Sequence, residues 1–397
     1  MTKARHKRVA LEVSLAISEA VKLLDVDVIS AYPITPQTHI VEGLAEMVNN
    51  GELDAEFIPV ESEHTAMSAC VGAAAVGARA FTATNSQGLA LMSEILYIAS
   101  GLRLPIVMVV VNRSLSAPLS IWGDHSDIMA NRDIGWIQFF AENGQEALDL
   151  VVIAYRVAED ERVVLPAVIN IDGFTLSHVI EPVLVPDQRS VLEFAPHRVH
   201  QITMDPDEPV MMGPVGIPEI YTEAKKAQNV ALVSSRAVID EAFDEFGKVF
   251  GRRYRAVESY RADGAEIVLV TMGGISETAM TAVDRMRRRG QKVGLIRLRV
   301  WRPFPFEDIR DALLEARAVA VLDRALSFGG CGGPVASEIR SALYNTKAKR
   351  KPPVYSFIGA LSGRDFTSDE FARLVDRVRD YARRGILPEY EMVGVRE

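Results

Sequence analysis

Three side chains in the first third of the chain are of types that can bind and activate a small carboxylic acid. Thr35 stands between Pro33 and Pro36, Glu63 precedes a run of small residues, and Arg113 follows an apolar segment. A glutamate can hold or transfer a proton, and an arginine can grip a carboxylate through two parallel hydrogen bonds. Because each proline fixes φ and restricts the residue before it, the backbone around Thr35 has little freedom.

Each of these side chains also has a structural interpretation, which the residues alone leave open. Thr35 could cap the helix that follows its turn, and Glu63 could cap the next helix. Arg113 could form an ion pair with Asp124 or Asp127. The choice between the structural and the functional interpretation depends on whether the fold brings the three side chains to one place.

Strand-like and helix-like segments alternate from the start of the chain to about residue 180. Most of the strand-like segments are almost continuously apolar, as parallel strands covered on both faces are. Strands are predicted at Val26–Ile29, Ala55–Val60, Ala80–Thr84, Ile106–Val111 and Val164–Ile171, with helices near Ile40–Asn49, His64–Val76, Leu89–Ser100 and Glu146–Glu159. The alternation predicts βαβ units, a parallel sheet and helices on both faces. Thr35, Glu63 and Arg113 would then lie at the carboxyl edge of the sheet, where α/β folds bind their ligands.

The rest of the chain predicts a second, smaller α/β domain. Residues 181–218 are rich in proline and lack a sustained period, so we expect an extended crossing segment, followed by a connecting helix over 219–253. We place the domain boundary there, with one domain over 1–253 and the other over 254–397. At the N-terminus, apolar residues from Val9 to Ile17 recur at helical spacing and predict an amphipathic first helix.

Composition and charge narrow the class of protein. The net charge of −9 argues against nucleic acid as a partner. The longest apolar run lies within Leu104–Val111, which is too short to span a membrane. Cys70 and Cys331 are the only cysteines, so the chain cannot ligate an iron–sulfur cluster by itself and has no disulfide framework. We expect a cytoplasmic protein.

Several motifs of cofactor-binding proteins are missing. No GxGxxG or GxSxG is present, and the small polar segment 82–88, which could cradle phosphate through its amides, lacks the P-loop lysine. Asp124 lies in Gly-Asp-His, without the downstream Asn-Asn that completes the magnesium–diphosphate motif of thiamine diphosphate enzymes. His125 beside loose acids is a weak metal signal, and His197 and His200 fall in the crossing segment. We expect no metal on this chain.

Seven separated motifs, in order over nearly the whole chain, resemble the α chains of the 2-oxoacid:ferredoxin oxidoreductases, and among these the chains that act on pyruvate. They are YPITP at 32–36, ESEHTAMSA at 61–69, TNSQGLALM at 84–92, NRSLSAPLSIWGDHSDI at 112–128, DGF at 172–174, WRPFP at 301–305 and GALSGRD at 359–365. The resemblance implies a pyrimidine-binding domain for thiamine diphosphate, followed by a transketolase C-terminal-like domain.

The resemblance also implies partners. In this family a β chain holds the cofactor's diphosphate, the magnesium ion and a [4Fe–4S] cluster. A ferredoxin-like δ chain carries further clusters, and a γ chain completes the complex. Ferredoxin takes the electrons, and coenzyme A takes the acyl group. The two cysteines and the missing diphosphate motif agree with this division.

The resemblance assigns roles to particular residues. Glu63 matches the glutamate that hydrogen-bonds N1′ of the aminopyrimidine, and Pro33 matches a position that lines this ring. Thr35 and Arg113 match the pair that holds the substrate carboxylate. Thr35 and the intact Ser120–His125 segment favour pyruvate over oxalate, whose branch replaces the threonine with arginine.

Three alternatives stay open. The substrate could be a branched-chain 2-oxoacid, because other chains share the pocket wall. The chain could be a non-catalytic assembly subunit whose motif residues only cap and pair. A self-sufficient transketolase-like enzyme is disfavoured by the absent diphosphate motif.

Overall fold

The computed structural model describes residues 4–198 and 202–396, which form an α/β fold with three sheets within these ranges. The strands are β1 (His6–Glu12), β2 (Val28–Ala31), β3 (Glu56–Pro59), β4 (Ala80–Thr84), β5 (Val107–Asn112), β6 (Ile137–Phe140), β7 (Ala167–Asp172), β8 (Ile180–Pro186), β9 (Val257–Tyr260), β10 (Ile267–Met272), β11 (Val293–Leu298), β12 (Val300–Arg302), β13 (Ala318–Asp323), β14 (Val354–Ile358) and β15 (Glu391–Met392). The predicted fold class is confirmed.

The α-helices cover the faces of the sheets. They are α1 (Val13–Leu23), α2 (Thr38–Asn49), α3 (Glu63–Ala75), α4 (Ser86–Gly101), α5 (Ser126–Ala130), α6 (Gly144–Ala158), α7 (Gln188–Phe194), α8 (Pro218–Phe250), α9 (Ile275–Arg288), α10 (Phe306–Leu313), α11 (Pro334–Tyr344) and α12 (Ser368–Arg384). Across the described ranges, no helix combines the length and apolar character that a bilayer span requires.

The first sheet has seven strands in the order β12-β6-β7-β5-β4-β2-β3, and all neighbours are parallel except β12 and β6. Every residue of β4, β5, β6 and β7 is buried, as expected where helices cover both faces. The strand order places the carboxyl ends of β5, β4, β2 and β3 side by side. The turns after these four strands therefore share one edge.

The second sheet has the order β15-β14-β13-β10-β11-β9 and packs against the first. One cluster of buried side chains joins the two, with Met108 and Trp136 from the first unit and Val270 and Trp301 from the chain beyond residue 265. Strands β11 and β12 are separated only by the buried Arg299, yet they belong to different sheets. The short segment from 293 to 302 therefore contributes a strand to each of the two sheets.

The predicted first helix is wrong over its first residues. Residues His6–Glu12 form β1, which pairs with β8 in an antiparallel two-stranded sheet, and α1 begins only at Val13. Pairing with a segment about 170 positions later in the chain overrides the helical spacing of these residues.

The crossing segment is more structured than the sequence suggests. It contains β8 and the short helix α7. Asp187 caps this helix, because its side chain accepts a hydrogen bond from Ser190 N (3.0 Å). An aspartate three positions before a serine is typical of a helix N-cap, and this pattern could have predicted α7 despite the many prolines of the segment. From 202 to 217 the described backbone has no helix or strand, and the connecting helix is α8.

Candidate active site

The candidate residues lie in the turns that follow adjacent strands. Thr35 follows β2, Glu63 is the first residue of α3 after β3, and Arg113 follows β5. The segment between β4 and α4 lies between them. The parallel sheet therefore brings the three predicted residues to the same edge.

Arg113 directly contacts the turn that carries Thr35. Its Nη1 donates a hydrogen bond to the carbonyl oxygen of Thr35 (2.8 Å), and its Nε donates to the carbonyl of Ser120 (2.8 Å). Among the described residues, Nη2 has no hydrogen-bond partner. Arg113 is buried, whereas Thr35 and Pro33 are exposed. The guanidinium is thus held on two sides and keeps one donor nitrogen for a ligand.

The predicted alternative of an ion pair to Asp124 or Asp127 is wrong within the described residues. Asp127 instead accepts hydrogen bonds from the backbone amides of Arg113 (2.9 Å) and Ser86 (3.0 Å). Burial raises the pKa of Asp127 to about 6, and these amides oppose the change. Burial also lowers the pKa of Arg113, against the attraction of Asp127. The buried carboxylate of Asp127 therefore links the turn after β4 to the turn after β5.

Glu63 is not the residue that caps its helix. The hydroxyl of Ser62 does so by accepting from Thr65 N (3.3 Å). Glu63 is 6% exposed and its carboxylate lies on Gly88, where an added Cβ would be 2.5 Å from Glu63 Oε1 and 2.5 Å from Thr84 Oγ1. Within the described chain, neither Thr84 Oγ1 nor the Glu63 carboxylate has a hydrogen-bond partner, and the former is buried. Two polar groups thus stand side by side without protein partners.

The turn after β4 links Glu63 to the other two residues. Asn85 Nδ2 donates to the carbonyl of Ile34 (3.0 Å), next to Thr35, while Gln37 Nε2 donates to the carbonyl of Ala83 (2.7 Å). Thr35 and Arg113 are therefore in direct contact, and Glu63 joins them through the Thr84–Gly88 turn. The Ser86 amide already donates a hydrogen bond to Asp127, so it is not free for the phosphate that this turn was predicted to cradle.

His125 belongs to a buried ion-pair cluster. Its Nε2 lies 3.0 Å from Asp172 Oδ1, and Arg324 pairs with the same carboxylate. Although burial opposes ionisation, Arg324 and His125 hold the pKa of Asp172 well below its usual range. His197 contacts the carbonyl of Gly77 at the surface. His200 lies outside the described residues.

Structural comparison finds solved proteins that share this α/β fold. The chain is similar to 2-oxoglutarate:ferredoxin oxidoreductase from Magnetococcus marinus (TM-score 0.73, 20% identity), with 94% of this chain covering 65% of that one. It is also similar to a split-gene transketolase (TM-score 0.54, 12% identity), with 95% and 98% of the two chains covered. At these identities the likeness shows the fold alone.

Sequence comparison then shows the family. Residues 19–244 match the family model described as pyruvate flavodoxin/ferredoxin oxidoreductase, thiamine diP-bdg, and residues 265–371 match pyruvate:ferredoxin oxidoreductase core domain II. The chain belongs to this oxidoreductase family, as the motifs predicted.

Its relatives include pyruvate synthase subunit PorA of Methanocaldococcus jannaschii (50% identity over 91% of this chain and 92% of the relative). PorA of Pyrococcus abyssi is 48% identical over 95% of both chains. Ketoisovalerate oxidoreductase subunit VorA of Pyrococcus horikoshii is 44% identical over 91% of both. All three are named as subunits.

Proposed function

We propose that this chain is the α chain of a multi-subunit pyruvate:ferredoxin oxidoreductase. The complex would convert pyruvate, coenzyme A and two oxidised ferredoxins to acetyl-CoA, CO2, a proton and two reduced ferredoxins, or run the reverse reaction. The observation that carries the proposal is the buried Glu63 carboxylate, which has no partner in the described chain and lies on Gly88 at the edge that also holds Arg113. The relatives named PorA support pyruvate as the substrate.

The residues around Glu63 fit the aminopyrimidine half of thiamine diphosphate. Glu63 and Thr84 offer two polar groups without protein partners, and Gly88 leaves the space above them free of a side chain. Glu63 would hold a proton on its carboxyl and hydrogen-bond ring nitrogen N1′, while the exposed ring of Pro33 would pack against the pyrimidine. When bound, thiamine diphosphate supplies the nucleophilic carbon and electron sink that 2-oxoacid chemistry needs.

Thr35 and Arg113 would hold the substrate carboxylate. Nη2 of Arg113 has no hydrogen-bond partner among the described residues, and a hydrogen bond from this charged group to a carboxylate would be stronger than a neutral one. The exposed Thr35 hydroxyl would be the second donor. The carboxylate would thus bind beside the pyrimidine site, with its 2-oxo carbon free to react.

The cofactor's other half and the redox centres would lie on other chains. Of the two cysteines, Cys70 is fully buried, and burial raises the pKa of its thiol to about 12, which opposes the thiolate form that binds iron. Cys331 is alone at the surface. We therefore place the diphosphate, Mg²⁺ and a [4Fe–4S] cluster on a β chain and further clusters on a ferredoxin-like δ chain, with a γ chain completing a cytoplasmic complex.

The division of the chain at residues 253 and 254 remains part of this proposal. Residues 1–253 would form the pyrimidine-binding domain, and residues 254–397 the transketolase C-terminal-like domain. The two separate family matches support this boundary.

A matched pair of glutamate variants tests the proposal. Glu63→Gln in the assembled complex should abolish pyruvate-dependent reduction of ferredoxin, because the amide cannot supply the carboxyl proton. Glu61→Gln changes an exposed glutamate two positions earlier and should leave turnover unchanged. Size-exclusion chromatography measures assembly in both variants. Normal turnover of Glu63→Gln would contradict the role of Glu63, and lost assembly with unchanged turnover per complex would favour a non-catalytic assembly chain.

A branched-chain 2-oxoacid is the second candidate substrate, which the VorA relative favours. The ratio of kcat/KM for pyruvate to that for 2-oxoisovalerate decides between the two. We expect the ratio to favour pyruvate.

A further inference from the structure

The chain beyond residue 265 holds the loop that positions Arg113. Arg324, at the end of β13, donates from Nη2 to the carbonyl of Gly123 (2.8 Å), and its own carbonyl accepts from the His125 amide (2.8 Å). Gly363 N donates to the same Gly123 carbonyl (2.7 Å). Two separate segments of the chain beyond residue 265, which we call the second unit, therefore hold the backbone at Gly123 and His125.

Ser362 is connected to the Arg113 guanidinium through one intervening residue, Ser120. Its amide donates to Asp124 Oδ2 (3.1 Å), and its hydroxyl shares a short hydrogen bond with the hydroxyl of Ser120. The carbonyl of Ser120 is the acceptor for Arg113 Nε. A displacement of Ser362 would thus reach Arg113 through a single intervening residue.

The contacting segment has an unusual backbone. Ala360 (φ 53°) and Ser362 (φ 51°) both have left-handed conformations that side chains with a Cβ rarely adopt, and Gly363 follows with φ 67°. Such conformations persist only where the surrounding structure over-determines them, and they cluster where function needs a fixed geometry. Of these residues, Ser362 contacts the loop carrying Ser120 through its hydroxyl, and Gly363 contacts it through its backbone amide.

Gly363 also allows a close contact with Trp122. A Cβ on Gly363 would be 2.8 Å from the Cβ of Trp122, which is too close for any side chain without movement. Trp122 is half exposed and packs on Phe174, with ring centroids 4.8 Å apart. Only glycine therefore permits the segment and the loop to lie at this separation.

We propose that Ser362 and Gly363 are positioning residues for the substrate site, so that the second unit sets the position of Arg113. The inference rests on the proposed role of Arg113 as the carboxylate-binding residue. It assigns to the second unit a part in 2-oxoacid affinity. Displacing this segment should weaken binding of the 2-oxoacid without changing binding of coenzyme A.

Two glycines with equal backbone geometry provide the first test. Gly363 (φ +67°) and Gly385 (φ +66°) impose the same penalty on alanine, but a Cβ on Gly385 meets nothing within 4 Å. Gly363→Ala and Gly385→Ala should therefore both lower the melting temperature through the left-handed φ, and Gly363→Ala should lower it further, because its Cβ also crowds Trp122. Only Gly363→Ala should raise KM for pyruvate, by about tenfold, because a displaced charged hydrogen bond weakens binding by that order. KM for coenzyme A should stay the same in both.

A second pair separates positioning from stability. Ser362→Gly removes the hydroxyl that contacts Ser120 and also relieves the left-handed strain, so the melting temperature should not fall. KM for pyruvate should nevertheless rise. Ala360→Gly relieves similar strain without removing a contact to the loop hydroxyl, and its KM should match that of the unaltered complex.

Arg113→Gln, measured in parallel, separates the proposed role of Arg113 from the positioning role of Ser362 and Gly363. If Arg113→Gln leaves KM for pyruvate unchanged, the proposed role of Arg113 fails. If Arg113→Gln raises that KM while Gly363→Ala and Ser362→Gly match their controls, the positioning role of the second unit is overturned and the proposed function stands. If KM for pyruvate rises in Arg113→Gln and also in Gly363→Ala and Ser362→Gly, both the role of Arg113 and the positioning role of the second unit are supported.

Discussion

Replacing Gly88 with alanine tests how closely the position of Glu63 is set. Gly88 lies in the first turn of α4, and its φ is not in the left-handed region. Alanine therefore suits the backbone, and only the space above residue 88 decides the outcome. An ideal Cβ would lie 2.5 Å from Glu63 Oε1 and 2.8 Å from Glu63 Cδ.

The magnitude follows from these distances. Contacts become ordinary at 3.4 Å, so the carboxylate must move by roughly 0.9 Å, the difference between that value and 2.5 Å. A misplacement of about 1 Å in a catalytic group can reduce the rate about 100-fold, which corresponds to about 2.7 kcal/mol of transition-state stabilisation. Crowding costs about 1–3 kcal/mol of folding stability, partly offset by the gain of about 0.5–1 kcal/mol from alanine in a helix.

Gly101→Ala is the control, because Gly101 ends the same helix and a Cβ there meets nothing within 4 Å. The assay is kcat/KM for pyruvate-dependent ferredoxin reduction by the assembled complex, with thiamine diphosphate affinity measured by titration calorimetry. We expect Gly101→Ala to keep full activity. A value for Gly88→Ala within about threefold of that control would refute the reasoning, because a carboxylate displaced by 0.9 Å would then not matter.

Thr84 provides a further check, since its hydroxyl is the other atom that a Cβ at 88 would crowd. In the Gly88→Ala background, Thr84→Ala removes that contact and leaves the contact with Glu63. Activity should stay low in the double variant. Recovery would show that Thr84, rather than Glu63, transmits the effect.

Two predictions concern buried charges. Arg79→Met leaves the buried Glu159 carboxylate without its two hydrogen bonds from Arg79 (2.7 and 2.5 Å), so denaturant unfolding should show a loss of about 3–5 kcal/mol, whereas Arg189→Met, which breaks only an exposed ion pair, should change the free energy of unfolding little. Equal effects would contradict the burial argument. Burial raises the pKa of Asp323 to about 7, so the folded protein retains a proton that the unfolded chain releases near pH 4, and the free energy of unfolding should fall as pH rises from about 4 to 7. Asp323→Asn should reduce that slope in melting curves taken across this range, and an unchanged slope would contradict the assignment.

Local sequence was sufficient to predict most helices and strands and the edge of the sheet that carries the candidate site. The segment Ala80–Thr84, made of alanine, phenylalanine and β-branched threonine, is β4 as predicted, and the segment Pro334–Tyr344, which starts with proline, is α11. Each depends on interactions between neighbours in the chain, such as apolar patterning and the fixed φ of proline. Because parallel strands end at a common edge, the positions of Thr35, Glu63 and Arg113 after their strands already predicted that they would meet.

Only the tertiary structure decided how these residues are held. Residues 9–12 belong to the segment with helical spacing but pair with β8 as part of β1, because a distant partner satisfies their backbone groups. Gly88 beneath Glu63 and Ser362 beside Ser120 join positions 25 and 242 residues apart. No local pattern encodes such contacts, since they arise from the packing of whole elements. The sequence by itself therefore determined which side chains could act and at which edge, and the packing of the two units decided their distances and partners.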